Sequence, residues 1–292
     1  MSAVLPPAQG GQSLNTVAIG QAELDKSSGG FWPDVFRRLR RNPTAWIGAA
    51  IVLLFILVAA LAPLLAPFPE TALPGAKFIT PTHIPGPGEL PEFPLGLDRF
   101  GGDVLSKLIW GAQASLLVGV ISTTFGLTGG MVLGLIAGTF GGWVDTIIMR
   151  IVDIILSVPN LLLAVSIAAI LGQTPFAVMI AIGASQVPIF ARLLRASMLQ
   201  QRSSDYVLSA QTLGLGRAQI TMTHVLPNAI GPVIVQGTLT LATAVIDAAA
   251  LSFLGLGGGR PETAEWGRML TYAQSELLRI GCLLYTSPSP RD

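Results

Sequence analysis

Apolar residues run along this chain in long blocks, and the polar residues gather between them. Ala45–Leu65 is one apolar run of about membrane length. Further apolar runs occupy Ser115–Gly138, Val144–Leu171, Phe176–Leu194 and Ala229–Leu251, giving five predicted helical spans. Four stretches carry no charge: Asn42–Pro69, Leu108–Val144, Ile154–Ala191 and Ala218–Ile246. Charged residues are only 11% of the 292 residues, and 51% are hydrophobic. So few charges cannot cover a water-facing surface, so lipid must be the solvent for much of the chain. The pattern predicts an all-α, polytopic membrane helix bundle. It excludes a soluble enzyme, a disordered chain and a disulfide scaffold. A net charge of +1 gives no electrostatic case for nucleic acid. The single Cys282 can form neither an internal disulfide nor a cysteine metal cluster.

The segments between the spans differ in kind. Residues 1–31 are rich in Gly, Ser, Ala, Pro and Gln without an apolar period, and are expected to be a flexible cytoplasmic tail. Arg37, Arg38, Arg40 and Arg41 then precede the first span and should hold the N-terminus in the cytoplasm. The run starts too late and is too long for a signal peptide, and it ends in Pro63 and Pro67. Residues 66–106 are proline-dense and charged, an expected polar extracytoplasmic loop ending in a short interfacial helix, Asp103–Ala114, with Lys107 off its apolar face. Gly130, Gly134 and Gly138 form a double small-x-x-x-small row, which predicts that the second span packs closely against another helix. In the third span Arg150 and Asp153 can pair on one helix face, and Pro159 should kink the helix; Pro188 interrupts the fourth. Cys282–Asp292 reads like a translated sequencing-library adapter. Residues 282–292 are therefore expected not to be native, and a sixth span to be missing.

The informative segment is 203–228, on the cytoplasmic side between spans four and five. Asp205 is a candidate N-cap, and Tyr206, Ala210 and Leu213 share one face of a short helix. Gly214 and Gly216 should end it. A second short helix, Arg217–Leu226, places Ala218, Met222 and Val225 together, and Pro227-Asn228 should break it before span five. Such a bent pair suits insertion into a partner's groove; an ordinary amphipathic linker is the other reading.

Gly214 followed ten residues later by His224-Val225-Leu226-Pro227 resembles the EAA loop of permease subunits of bacterial ABC importers. Leu208 stands where that pattern has Glu and Ser209 replaces its first Ala, while Ala210 keeps the second. Three further stretches resemble the dipeptide/oligopeptide/nickel branch: Leu95–Ser106, Asp153–Pro159, and Ala248–Gly257 with Glu265-Trp266-Gly267. The long extracytoplasmic loop is similar to that of the second, C-type, permease of the pair. The resemblance covers about residues 32–280. It implies a transmembrane permease domain in the bacterial inner membrane, serving an ATP-driven importer of dipeptides or oligopeptides, or of nickel or other small solutes. It further implies two ATP-binding subunits, a second permease and an extracytoplasmic solute-binding protein as partners. Tyr206, Ser209, Ala210, Gly214, His224, Leu226, Pro227 and Asn228 would couple the chain to an ATPase.

Asp247, deep in the fifth span, is costly in lipid. It either lines the pathway, contacting the amino end of a peptide, or sits hydrated or paired near the outer interface. His224 has no nucleophile or second histidine on its side of the membrane, which favours docking or structure over catalysis. Gly255–Gly259 lacks the Lys-Ser/Thr of a phosphate-binding loop, and no such loop occurs elsewhere. No cofactor and no metal are expected, and ATP chemistry must come from a partner. A stand-alone secondary transporter would need inverted repeats and midplane ion-coupling acids. An intramembrane enzyme would need paired catalytic groups at depth. Neither pattern is evident.

Overall fold

The computed structural model describes residues 43–80, 83–258 and 263–274. The predicted N-terminal tail, the basic cluster before the first span and the 282–292 segment lie outside these residues. Every regular element among the described residues is helical; extended pairing is confined to the isolated bridges Thr80–His83, Leu90–Phe93 and Leu97–Asp103. Among the described residues, four helices are long and apolar enough to cross a membrane, or five if one bent pair counts as a span.

The chain divides into two compact units, 1–55 and 56–292. The first contains most of α1 (Pro43–Ala60), which is apolar on every face and exposed along nearly its whole length. That is the pattern of a helix solvated by lipid.

The second unit opens with α2 (Ala62–Leu65) and the loop before the next span. The loop is folded rather than merely polar. Phe93, 1% exposed, sits between the rings of Phe68 and Phe78 at 5.6 and 6.2 Å. The loop is stitched to α3 (Val104–Phe140) by Asp103, whose carboxylate accepts from the backbone N–H and hydroxyl of Ser106. The Phe68 N–H in turn donates to Ser106 Oγ, and the Trp110 indole to the Phe68 carbonyl. The short interfacial helix expected at Asp103–Ala114 is thus the first three turns of α3, a single helix of 37 residues and roughly 55 Å. Lys107 is buried, not surface-facing, because Asp98 takes its ammonium group.

The Gly-rich row of α3 packs along α6 (Pro175–Arg202). A Cβ on Gly126 would meet Gln186 Cβ and the Gly183 carbonyl, both at 2.8 Å. On Gly130 it would meet Phe190 Cβ at 2.4 Å, and on Gly134 the Ala191 carbonyl at 2.7 Å. Residue numbers rise together on both helices, so they run parallel. Helix α6 is the most buried of the candidate spans. Thr174 caps its N-terminus, and it stays one helix through the buried Pro188 instead of being interrupted.

Between α3 and α6, Pro159 separates α4 (Gly142–Leu156) from α5 (Asn160–Leu171), and the two meet at 91°, far more than a kink. The proline lacks the N–H that would continue the ladder. Two acids of α4 reach α6: Asp145 holds Arg195 at two points, 2.5 and 2.9 Å, and Asp153 pairs with Arg192. The expected Arg150–Asp153 pair is therefore not formed; the interhelical arginine takes the carboxylate. Helix α5 buries Ala164 and Ala168 against α6 and the last span.

Candidate functional site

Segment 203–225 begins where α6 ends. Ser204, in extended geometry, caps α7 (Asp205–Thr212). Asp205, expected as the cap, is the first helical residue, where its negative charge suits the helix dipole. Helix α7 ends in a Schellman turn. The Leu215 N–H donates to the Ala210 carbonyl and the Gly214 N–H to the Gln211 carbonyl, with Gly214 at φ +77°. Gly216 does not share this role. At φ −67° and ψ 149° it caps the next helix, α8 (Arg217–Ile220).

Helix α8 does not break before the last span. It passes through a π turn, Thr221–Val225, into α9 (Leu226–Phe253). The Leu226 N–H reaches back five residues to the Thr221 carbonyl. The wider turn lets Pro227 enter the first turn of α9 without ending the helix. The Asn228 side chain donates to the His224 carbonyl at 2.7 Å, and the His224 Nδ1 lies 2.6 Å from the Thr223 hydroxyl. His224, Leu226, Pro227 and Asn228 are thus brought together as one bulged turn.

The two short helices present distinct faces. Val207, Ala210, Ile220 and Val225 are buried in one cluster with Phe190, Leu194 and Met198 of α6. Ala210 is 4% exposed, so it anchors the loop to the bundle. Tyr206, Leu208, Leu213 and Met222 project outward, Leu213 at 80% exposure. The face expected to unite Tyr206, Ala210 and Leu213 is split, because Val207–Ala210 is the side that packs. Met222 and Val225 separate in the same way. Ser209 turns its hydroxyl back to the Asp205 carbonyl, and the Tyr206 hydroxyl reaches Gln201 at 2.7 Å.

Two arginines tie this segment to α3. Arg202 donates to the Thr139 carbonyl at 2.7 Å and Arg217 to the Phe140 carbonyl at 3.3 Å. Both acceptors are end-of-helix carbonyls that lack intrahelical partners. Sequence spacing gave no sign of these bonds, which join residues 63 and 77 positions apart.

Asp247 lies six residues before the end of α9. Its Oδ2 accepts from the Asn160 side-chain amide at 3.1 Å. Asn160 opens α5, directly after the break at Pro159, and no local motif marked it.

At the other end of the bundle, residues 263–274 fold over α3 and α9. The Trp266 indole donates to the Leu108 carbonyl at 3.0 Å, with Gly111 beneath the ring. Glu265 joins Ser252 to Arg268, and Arg99 lies 4.1 Å over the ring of Tyr272.

Residues 130–288, more than half of the chain and the whole of the bent segment, match the family described as binding-protein-dependent transport system inner membrane component. The chain belongs to this family. Residues 30–81 of the permease also match the N-terminal transmembrane domain of oligopeptide transport permease C. It is 41% identical to the dipeptide transport system permease protein DppC of Alkalihalophilus pseudofirmus, over 82% of this chain and 76% of that one. It is 40% identical to the di/tripeptide transport system permease protein DppC of Pseudomonas aeruginosa, over 85% and 80%. It is 35% identical to the glutathione transport system permease protein GsiD of Pectobacterium atrosepticum, over 87% and 82%. Among solved structures, a chain of the MetNI methionine ABC transporter in an inward-facing conformation is 20% identical, with a TM-score of 0.46, covering 61% of the permease and 92% of that chain.

Proposed function

We propose that this permease is a transmembrane subunit of an ATP-driven importer of dipeptides and short oligopeptides. The relatives named for dipeptides, di/tripeptides and glutathione all carry short peptides or a peptide-like thiol, which favours peptides over nickel. Two ATP-binding subunits, a second permease and an extracytoplasmic solute-binding protein complete the machine. ATP hydrolysis belongs to the ATP-binding subunits. The N-terminus and segment 203–228 face the cytoplasm, and residues 66–106 and 263–274 face outward.

Segment 203–228 is the coupling element. The observation that carries this reading is its two-sidedness: an apolar face of Val207, Ala210, Ile220 and Val225 buried on α6, and an apolar crown of Tyr206, Leu208, Leu213 and Met222 left exposed where a cytoplasmic segment should be polar. Leu208 stands at the position that is Glu in the EAA pattern, and here it is half exposed. A partner ATPase covers the crown and moves the segment as a unit. The Schellman turn at Gly214 sets α7 against α8, and the π turn before Pro227 joins α8 to α9. Ser209, Ala210, His224, Leu226, Pro227 and Asn228 maintain that shape, and Asp247 lines the solute pathway.

The test is reconstitution of the full assembly in proteoliposomes with a labelled dipeptide. Uptake should require both ATP and the binding protein. Gly214→Val should uncouple them, leaving ATP hydrolysis while uptake falls at least tenfold. Uptake without any ATPase subunit would instead establish a secondary transporter.

A further inference from the structure

The long helices α3–α6 and α9 carry three carboxylates among the described residues: Asp145, Asp153 and Asp247. Asp145 and Asp153 each have an arginine from α6. Asp247 has no base. Its one partner is the neutral amide of Asn160, bound through Oδ2. The Asn160 Oδ1 is buried and accepts no hydrogen bond. Both side chains therefore hold acceptor capacity unused, and the amide covalently links its free oxygen to the nitrogen already bound to Asp247.

The pair adjoins the 91° break between α4 and α5, with Asn160 as the first residue after it. Non-helical backbone at membrane depth is tolerated where it is buried in protein or lines a cavity, and broken helices recur where transporters hold solute. The residues one turn to either side of Asp247 divide the helix surface. Ala244, Ala248 and Leu251 are buried against α5 and α6, whereas Thr243 and Ile246 are exposed. Asp247 sits on the boundary, tied to the bundle through one oxygen.

We propose that Asn160 and Asp247 form a subsite for a primary ammonium group, the protonated amino end of the transported peptide. This rests on the peptide-importer reading above. Ammonium carries three donors and no acceptor. It matches a site with a carboxylate oxygen and an amide oxygen free and no basic side chain bonded to the acid. A single acid assisted by an amide also holds weakly enough for release, as passage through a membrane requires.

The experiment uses the intact assembly in proteoliposomes, with Cys282→Ser as background and Thr243→Cys as a reporter one turn from Asp247. Reaction of the new thiol with a cationic methanethiosulfonate is timed with and without a free-amine dipeptide, in the presence of the binding protein and ATP. The dipeptide should slow labelling at least fivefold. Asp247→Asn and Asn160→Ala should each remove that protection and Asp247→Glu should restore much of it, with every variant co-eluting with its partner subunits as the parent does. Equal protection in the Asp247→Asn assembly, no protection in the parent, or protection by sodium chloride alone would overturn the subsite. If the parent assembly takes up no dipeptide, the peptide-importer reading fails instead. If it takes up dipeptide and Asp247→Asn does so equally, the subsite alone fails.

Discussion

The α3–α6 seam and segment 203–225 both depend on glycine, but they use it for opposite purposes. In the seam, Gly126, Gly130 and Gly134 have no room for a methyl group, because backbone or Cβ atoms of α6 occupy the space. In the bent segment, Gly214 and Gly216 have nothing within 4 Å. The first set lets two long helices meet along several turns. At Gly214, the glycine supplies a left-handed turn and leaves the surroundings open. Under the proposed coupling role, the seam is the stiff shaft and the bent segment the exposed joint. The difference in what surrounds each glycine separates the two.

The largest effect should come from the seam. Gly130→Ala pushes a methyl group into Phe190 Cβ and the Val187 carbonyl, and overpacking of this kind costs about 1–3 kcal/mol. Gly130→Leu should abolish the folded chain, read as loss of the monodisperse peak in detergent. Next is Arg195→Ala, which strands the largely buried Asp145 carboxylate. Breaking one side of such a pair costs about 3–5 kcal/mol when fully buried, and less here because Arg195 is one-third exposed. Thermal unfolding should fall accordingly, and Asp145→Ala combined with Arg195→Ala should recover part of the loss. Gly214→Ala should cost roughly 1 kcal/mol from its left-handed backbone alone, with a larger effect on transport than on stability. Leu213→Asn should leave thermal stability within about 0.5 kcal/mol, as for other exposed positions. If Gly214→Ala proved as damaging to stability as Gly130→Ala, the contrast between shaft and joint would collapse.

The seam was legible in the sequence because small residues at a four-residue spacing have one main use in lipid: close helix approach. The Gly214 stop was legible too, since few residues other than glycine take its backbone angles at low cost. What escaped reading was tertiary. Lys107 looked like a surface charge until Asp98 came to it through the fold of the loop. Asp153 looked like the local partner of Arg150 until Arg192 approached from another helix. Pro227 looked like a break because the spacing of an α-helix was assumed, and a π turn accommodates it instead. The buried face of α7 was misread for a related reason. Tyr206, Ala210 and Leu213 have helical spacing, but a helix of eight residues has too few turns for spacing to reveal which side meets α6. Asn160 carried no signal, being separated from Asp247 by 87 positions.

The direct test of the central claim is a cross-link from the exposed crown. A single cysteine at Leu213 in the Cys282→Ser background is placed in the intact assembly and treated with a short bifunctional thiol reagent. A permease–ATPase adduct should form with a yield that changes on ATP binding, and a cysteine at the buried Ala210 should give none. A free permease at Leu213 under all nucleotide conditions, in an assembly that transports normally, would contradict it.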